Sequence, residues 1–304
     1  MWTTVFVIRS KAAWFCWVWD ADTFAAFPPP RPRELAHSFS AKRRHMQSLV
    51  WLGVLAHVIA TSLMLVVLDV LPRGLRQHLL PVGFRGKLFT GLKTTAALWR
   101  TAACNLRPTL RAEAPVPPDL PVLLEQLQDA CTSSTGNVSV SVRGLAQETT
   151  LSELGSAGRP LVVALGSCTH PPFLSALPSL VALSARLAER AEFVIIYIEE
   201  AHPCDGWRHD GVRHLIAQHT SLDERRRAAA KLRTELLCCG ANLGRLRLAV
   251  DLMGNDAALA FGALPARLAL LLDGHLVWLS PRESTDVNAL EARLEETLRQ
   301  LWPV

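Results

Sequence analysis

The sequence has no Cys-X-X-Cys pair and few charged residues for its length. Asp, Glu, Lys and Arg make up 19% of the 304 residues and apolar residues make up 50%, a balance that is apolar for a soluble protein. The seven cysteines are odd in number and irregularly spaced, which argues against a secreted disulfide framework but leaves room for a few reactive thiols. Arg9 and Lys11 interrupt the apolar start of the chain and no small-residue cleavage site follows, so we do not expect a signal peptide.

One long hydrophobic run is present, "LVWLGVLAHVIATSLMLVVL" at residues 49 to 68. It carries no formal charge, and twenty helical residues span about 30 Å, the thickness of the hydrocarbon core of a bilayer. The run predicts a transmembrane helix over residues 46 to 71 in a single-pass protein of the plasma membrane or an endomembrane. Basic residues lie on both sides, so the positive-inside rule gives no orientation. The net charge of +5 fits anionic lipid head groups better than nucleic acid.

The hydrophobic run divides the chain into four predicted parts. Residues 1 to 45 form an N-terminal segment, and the membrane helix occupies residues 46 to 71. Residues 72 to 121 combine a basic amphipathic juxtamembrane helix with a linker, because "RPTLRAEAPVPPDLP" at 107 to 121 holds five prolines. Residues 122 to 304 are expected to form the globular domain.

Hydrophobic periodicity predicts the elements of the globular domain. Helices are predicted at 121 to 131, 171 to 190, 221 to 237 and 287 to 301, and strands at 137 to 144, 160 to 165, 193 to 199, 246 to 251, 267 to 272 and 275 to 280. Two continuous apolar strands joined by a helix imply a right-handed parallel crossover. The last two strands meet at a two-residue turn and must be antiparallel. This order predicts an α/β fold of the thioredoxin-like kind, a mixed sheet flanked by helices, with Pro265 in a cis peptide.

The stretch "GSCTHPPF" at residues 166 to 173 lies where the first buried strand meets its helix. Unpaired backbone N–H groups and the helix dipole stabilise a thiolate at such a place, so Cys168 is a candidate reactive group. Pro171 suits the first helical turn. Cys168, His170 and His202 have no fourth ligand at a recognised zinc spacing, so we expect no metal site.

The same stretch resembles the active-site motif of the iodothyronine deiodinase family, most closely its type 3, inner-ring branch. Three further motifs carry the resemblance: "YIEEAHPCDGW" at 197 to 207, "QHTSLDERRRAAA" at 218 to 230 and "DLMGNDAALAFGA" at 251 to 263. The resemblance implies reductive removal of iodine from thyroid hormone by a selenocysteine in a thioredoxin fold. It also implies a thiol cosubstrate, no tightly bound cofactor, and a membrane-anchored homodimer.

Matching the family motifs position by position assigns roles to individual residues. The selenocysteine position is occupied by His170, with Cys168 two residues before it. The resemblance further implies catalytic or substrate-binding roles for Glu200, His202 and His219, a grip on the hormone by Arg267, and a resolving thiol at Cys238 or Cys239.

His170 is the main departure from the family, because imidazole lacks the soft, ionised nucleophilicity of a selenolate. Three interpretations remain open. The histidine stands where the natural chain carries selenocysteine, or Cys168 is the nucleophile with His170 as its base, or the domain has lost catalysis and only binds. The second interpretation also allows a cysteine-based thiol oxidoreductase or peroxidase that acts on another substrate.

Overall fold

A computed structural model describes residues 36–72, 74–75, 92–106, 110, 113–125, 146–206 and 208–302. The predicted strand at 137 to 144, most of the predicted N-terminal segment, much of the predicted amphipathic stretch, and Cys16 and Cys131 lie outside these residues. The chain divides into two compact units. One comprises Met1–Leu106 with Gly206–Gly211, and the other comprises Arg107–Asp205 with Val212–Val304.

Two helices form the described part of the first unit, α1 at Ala36–Val70 and α2 at Leu92–Leu106, and they pack against each other. Within the described residues, α1 contains one stretch long and apolar enough to cross a membrane, Leu52–Val70, of which 17% is buried. Leu63 is 62% exposed and Val67 is 60% exposed, unlike the side chains of a soluble core helix. The predicted hydrophobic helix is therefore present, and α1 begins ten residues before its predicted start.

The described residues of the second unit form a seven-stranded sheet with helices packed against it. The strands are β1 Pro121–Glu125, β2 Ala146–Thr150, β3 Leu161–Gly166, β4 Glu192–Tyr197, β5 Leu246–Asp251, β6 Arg267–Leu272 and β7 His275–Leu279. The helices are α3 Pro171–Leu187, α4 Leu222–Cys238, α5 Asp256–Phe261 and α6 Val287–Leu301.

The strand order is β2-β1-β5-β4-β3-β6-β7, with β3, β4 and β5 parallel and the remaining pairs antiparallel. All six residues of β3 are buried, as expected of a central strand covered on both faces. Pro171 opens α3 without the loss of a hydrogen bond. This topology confirms the predicted thioredoxin-like fold, and the Leu264-Pro265 peptide is cis as predicted.

The predicted helix at 121 to 131 is wrong, since residues 121 to 125 form β1. This strand pairs with β2 on one side and β5 on the other. A run as short as "PVLLE" does not show whether its hydrophobic period is that of a helix or a strand. The segment forms a strand because it pairs with the edge of β5. The predictions also missed β2 and the six-residue helix α5.

The proline-rich segment is part of the second unit. Glu113 N donates to Leu276 O (2.7 Å), Val116 N donates to Gly274 O (2.9 Å) and Leu276 N donates to Ala114 O (3.0 Å). These bonds place residues 113 to 116 along the outer edge of β7. Residues 113 to 116 therefore pair with the sheet of the second unit although they precede the predicted boundary at 122.

Gly166, the last residue of β3, lies under the ring of Phe173 in α3. A Cβ added there would lie 2.7 Å from Phe173 Cδ1, and Phe173 is fully buried. We expect Gly166→Ala to lower the free energy of unfolding by roughly 1–3 kcal/mol through overpacking. Gly155→Ala is the matched control, because its nearest contact would be an ordinary 3.7 Å to Leu161 Cδ2. Equal urea midpoints for the two variants would contradict this packing account.

Candidate active site

The candidate site lies at the carboxyl ends of β3 and β4. These parallel strands run in register, with Gly166 beside Tyr197, and Ile198 N donates to Gly166 O at 3.1 Å. The loop of residues 167 to 170 and the segment 198 to 202 therefore leave the same edge of the sheet together. Polar side chains at this edge of a parallel sheet are well placed for function.

Glu200 is the centre of a buried cluster of polar side chains. Its carboxylate is fully buried, and its Oε2 accepts hydrogen bonds from Thr169 N (3.1 Å) and Thr169 Oγ1 (2.6 Å). Its Oε1 accepts a short hydrogen bond from the Tyr197 hydroxyl. A buried carboxylate requires such donors, so these bonds hold Glu200 in one orientation.

His219 joins this cluster from the loop before α4. Its Nε2 lies 3.1 Å from Glu200 Oε1 and its side chain is only 2% exposed. Neither ring nitrogen makes a regular hydrogen bond to a described residue, so the contact with Glu200 is one of ion-pair distance. The rings of His219 and Tyr197 lie 5.9 Å apart. The structure thus brings together Glu200 and His219, which the sequence assigned separately.

His170 and His202 lie next to the cluster. Their rings are 6.5 Å apart, and His202 N donates to Thr169 Oγ1 at 3.1 Å. His170 precedes the first residue of α3 and is 5% exposed, whereas His202 is half-buried. Thr169 links His202 to the cluster, because its hydroxyl contacts both the His202 main chain and Glu200.

Thr169 and Tyr197 were not among the predicted site residues. Both lie inside the quoted motifs, "GSCTHPPF" and "YIEEAHPCDGW", so the signal was available. Burial raises the pKa of Tyr197 well above its ordinary value, and the negative charge of Glu200 adds to the shift. Tyr197 is therefore a neutral phenol at physiological pH and donates its proton toward Glu200.

Cys168 differs from the expected thiolate. Its side chain is fully buried, and Sγ points toward the carbonyl of Ala228 in α4 at 3.9 Å. Burial raises the pKa of the Cys168 thiol to about 12, and the charge of Glu200 contributes in the same direction. Desolvation thus outweighs the helix N-terminus, and the thiol is neutral and faces the core.

Cys238 and Cys239 are not near Cys168. They end α4, and Cys238 lies ten residues beyond Ala228, about 15 Å along the helix. A disulfide requires Cα atoms within about 7 Å. The predicted resolving pair therefore lies toward the opposite end of the helix from the cluster, and its reaction with Cys168 would require a large displacement of α4.

Arg267 begins β6 and is mostly buried. Its Nε donates to Ser280 O and its Nη1 donates to Phe261 O, both at 2.8 Å. These bonds tie the ends of α5 and β7 to β6. They use two of the five guanidinium N–H groups, so the grip of Arg267 on a ligand carboxylate stays a prediction. Among the described residues no group of three or more His, Cys, Asp or Glu side chains is arranged to hold a metal ion.

Asp251 ends β5 close to the site and caps α5. Its carboxylate accepts hydrogen bonds from Ala257 N (3.0 Å) and Ala258 N (2.9 Å), yet burial raises its pKa from 3.8 to about 6. The folded chain thus holds this proton to a higher pH than the unfolded chain does. Its contribution to stability is fully present below about pH 4 and is lost as the pH rises through about 6.

We expect this carboxyl group to lower the free energy of unfolding by up to about 3 kcal/mol between pH 4 and pH 7. The measurement is urea unfolding of the full chain in detergent, compared at each pH with Asp251→Asn, whose side chain does not titrate. The stability difference between the two chains should change over this range. A difference that stays constant from pH 4 to pH 7 would show that Asp251 titrates normally.

The fold and site define a thioredoxin-like protein with a buried carboxylate at the carboxyl ends of two parallel strands, where phenol, hydroxyl and imidazole groups are its neighbours. The model of the iodothyronine deiodinase family matches residues 45–297, so the chain belongs to the iodothyronine deiodinase family.

Among its relatives, thyroxine 5-deiodinase of Aquarana catesbeiana is 41% identical over 124 residues, covering 41% of this chain and 44% of that protein. The Gallus gallus thyroxine 5-deiodinase is 36% identical over 140 residues, with coverages of 45% and 52%. The Homo sapiens protein of the same name is 34% identical over 151 residues, with coverages of 49% and 47%. The chain thus spans about half the length of the curated relatives it matches.

Solved structures also resemble the chain. Mycobacterium bovis AhpC aligns with a TM-score of 0.39 and 12% identity, covering 65% of this chain and 95% of that chain. A peroxiredoxin-like protein from Aquifex aeolicus aligns with a TM-score of 0.38 and 10% identity, covering 63% and 90%.

Proposed function

We propose that this site removes iodine reductively from an iodothyronine, with a thiol as the reductant. The observation that carries the proposal is the Glu200 cluster beside position 170. A buried carboxylate contacts Thr169, Tyr197 and His219, next to the place where a thioredoxin-like fold positions its reactive group. Family membership and relatives named thyroxine 5-deiodinase support the same substrate class.

The chemistry explains why such a cluster is needed. When a nucleophile takes iodine from an aromatic ring as a positive fragment, the electron pair of the carbon–iodine bond stays on carbon, which must then receive a proton. With a selenolate at position 170, the first step is Se⁻ + Ar–I + H⁺ → Se–I + Ar–H. Two thiols then restore the selenium, Se–I + 2 RSH → Se–H + RSSR + HI. The acid and base groups must deliver one proton near position 170 during the first step.

The geometry suggests how the groups divide this work. We assign His202, the half-buried member, to contact with the substrate and to its proton. The buried groups that exchange protons with it are Glu200, Tyr197 and His219. The Thr169 hydroxyl connects these groups to His202. We keep Arg267 as a proposed contact for the substrate carboxylate, although its Nε and Nη1 also hold main-chain carbonyls.

Position 170 determines whether the proposed reaction runs. Imidazole is not a nucleophile toward iodine comparable with a selenolate. Cys168, the sulfur two residues away, is neutral and buried. This burial favours a second candidate function for the chain with His170, an iodothyronine-binding module without turnover. It disfavours the cysteine-based thiol oxidoreductase or peroxidase.

The membrane setting and assembly are part of the proposal. We propose that α1 anchors the domain in a plasma or internal membrane by a single pass through Leu52–Val70, and that the chain acts as a homodimer. The exposed apolar side chains of α1 support the anchor. Vesicle flotation of the full chain tests it. Recovery in the soluble fraction after alkaline carbonate extraction would contradict it.

Product analysis tests the activity itself. The full chain with selenocysteine at position 170, given thyroxine and dithiothreitol, should yield triiodinated products and iodide in equal amounts by liquid chromatography and mass spectrometry. The position of the missing iodine identifies the ring that reacts. If thyroxine is unchanged while hydrogen peroxide is consumed, the peroxidase alternative replaces this proposal.

A further inference from the structure

Arg225 lies in the first turn of α4 and is only 1% exposed although it carries a charge. Its Nη1 donates to the main-chain oxygens of Asp251 (3.1 Å) and Leu252 (2.7 Å) at the end of β5. A buried charge is strongly destabilising unless other charges and hydrogen bonds compensate it. The surroundings of Arg225 must therefore supply negative charge.

The loop that Arg225 holds returns to the candidate site. Asn255 closes this loop, and its Nδ2 donates to Glu199 Oε2 at 3.0 Å. Gln218 Nε2, from the loop that carries His219, donates to the same oxygen at 3.3 Å. Glu199 directly precedes Glu200 in the chain. A continuous set of contacts thus runs from Arg225, through residues 251 to 255, to the carboxylate of Glu199, the neighbour of Glu200 in the chain.

The charged and titratable groups around Arg225 come from two strand ends. Asp251 comes from β5, while Glu199, Glu200 and Tyr197 come from the end of β4. Burial lowers the pKa of Arg225, and the negative charges of these groups, Asp251 first, oppose that shift. The guanidinium therefore faces negative charge from the ends of both β4 and β5.

We propose that Arg225 is a positioning residue of the deiodinase site, whose buried charge balances Glu199 and Glu200 and whose guanidinium fixes the 251–255 loop against them. This inference rests on the proposed function for its catalytic meaning. The contacts it invokes can be tested without any turnover.

The chain contains a single tyrosine, and this is Tyr197, so tyrosine labelled with ¹³C at Cζ gives one NMR signal from the centre of the cluster. Arg225→Gln removes the charge but keeps an N–H donor. At acidic pH the Tyr197 signal shifts when the neighbouring carboxylates take up protons, and we call this shift the Tyr197 step. In Arg225→Gln we expect this step to occur about one pH unit higher, because the carboxylates lose a nearby cation. Arg225→Lys keeps the charge and should move the step by less than half as much.

Arg226→Gln is the matched control. Arg226 is the next residue of the same helix, and its Nε pairs with Glu125 of β1 at 2.8 Å. Loss of this pair removes an equal charge and leaves the Tyr197 step in place. If the Arg225→Gln curve coincides with that of the unmodified chain, the proposal is wrong.

Double variants decide the matter if Arg225→Gln folds poorly. When Arg225 balances Glu200, adding Glu200→Gln should raise the urea midpoint above that of Arg225→Gln alone. Rescue by Asp251→Asn and not by Glu200→Gln would overturn the proposal and assign Arg225 to the β5–α5 loop alone. Failure of both double variants to fold would overturn it as well.

The two proposals can fail separately. If Arg225→Gln leaves the Tyr197 signal unmoved while the parent chain deiodinates thyroxine, only the role of Arg225 is rejected. If Arg225→Gln moves the signal while the parent chain does not deiodinate thyroxine, only the proposed function is rejected.

Discussion

Placing selenocysteine at position 170 is expected to raise iodide release from thyroxine by about 10³-fold or more over the chain with His170. Loss of a nucleophile from an enzyme commonly costs this much or more, and the neighbouring Thr169 already contacts Glu200 and His202. His170→Cys should give an intermediate rate, because a thiolate is a weaker and less ionised nucleophile. The assay is iodide release by the full chain with excess dithiothreitol.

Cys168→Ser is the control for this prediction. The Cys168 thiol is buried, and its pKa of about 12 keeps it protonated at neutral pH. In the chain with selenocysteine, Cys168→Ser should change the rate by less than about threefold. If instead the chain with His170 releases iodide and Cys168→Ser abolishes that release, Cys168 is the nucleophile and position 170 is not.

Glu200→Gln is expected to lower kcat by about 10²- to 10³-fold in the chain with selenocysteine at 170, with little change in KM. General acid–base catalysis contributes rate factors of this size. Glutamine has nearly the same shape but cannot exchange a proton, and its amide would face the Tyr197 hydroxyl as a second donor. The measurement is the dependence of the initial rate on thyroxine concentration.

Glu199→Gln is the matched control, since Glu199 is the adjacent buried carboxylate. Its Oε2 contacts Gln218 and Asn255, not Tyr197 or Thr169. We expect its kcat to fall by less than tenfold. Equal losses in the two variants would mean that Glu200 contributes only its charge and not proton transfer.

The sequence predicted the central fold well because its strands differ in pattern. β3 is apolar at every position and buried at every position, and the turn at Asp273 and Gly274 fixed the last hairpin. β1 was mistaken for a helix because five residues carry no decisive period. Its identity depends on pairing with β5, which a local pattern does not contain.

The candidate site was predicted in part for a related reason. Glu200, His202 and His219 were found through the family motifs, but the side chains that connect them, Thr169 and Tyr197, depend on three-dimensional contact. The state of Cys168 was misjudged because the helix N-terminus is visible in the sequence and the desolvation of its thiol is not. Arg225 was overlooked because a basic residue in "DERRRAAA" looks like part of a solvated helix face.

The most direct test of the account is a single turnover without added thiol. The full chain with selenocysteine at 170 is mixed with an equal amount of thyroxine, and product and free iodide are quantified before and after dithiothreitol is added. We predict close to one equivalent of triiodinated product before the thiol, with iodide released only when dithiothreitol reduces the selenium–iodine bond. Product that forms only after dithiothreitol is added would contradict transfer of iodine to position 170.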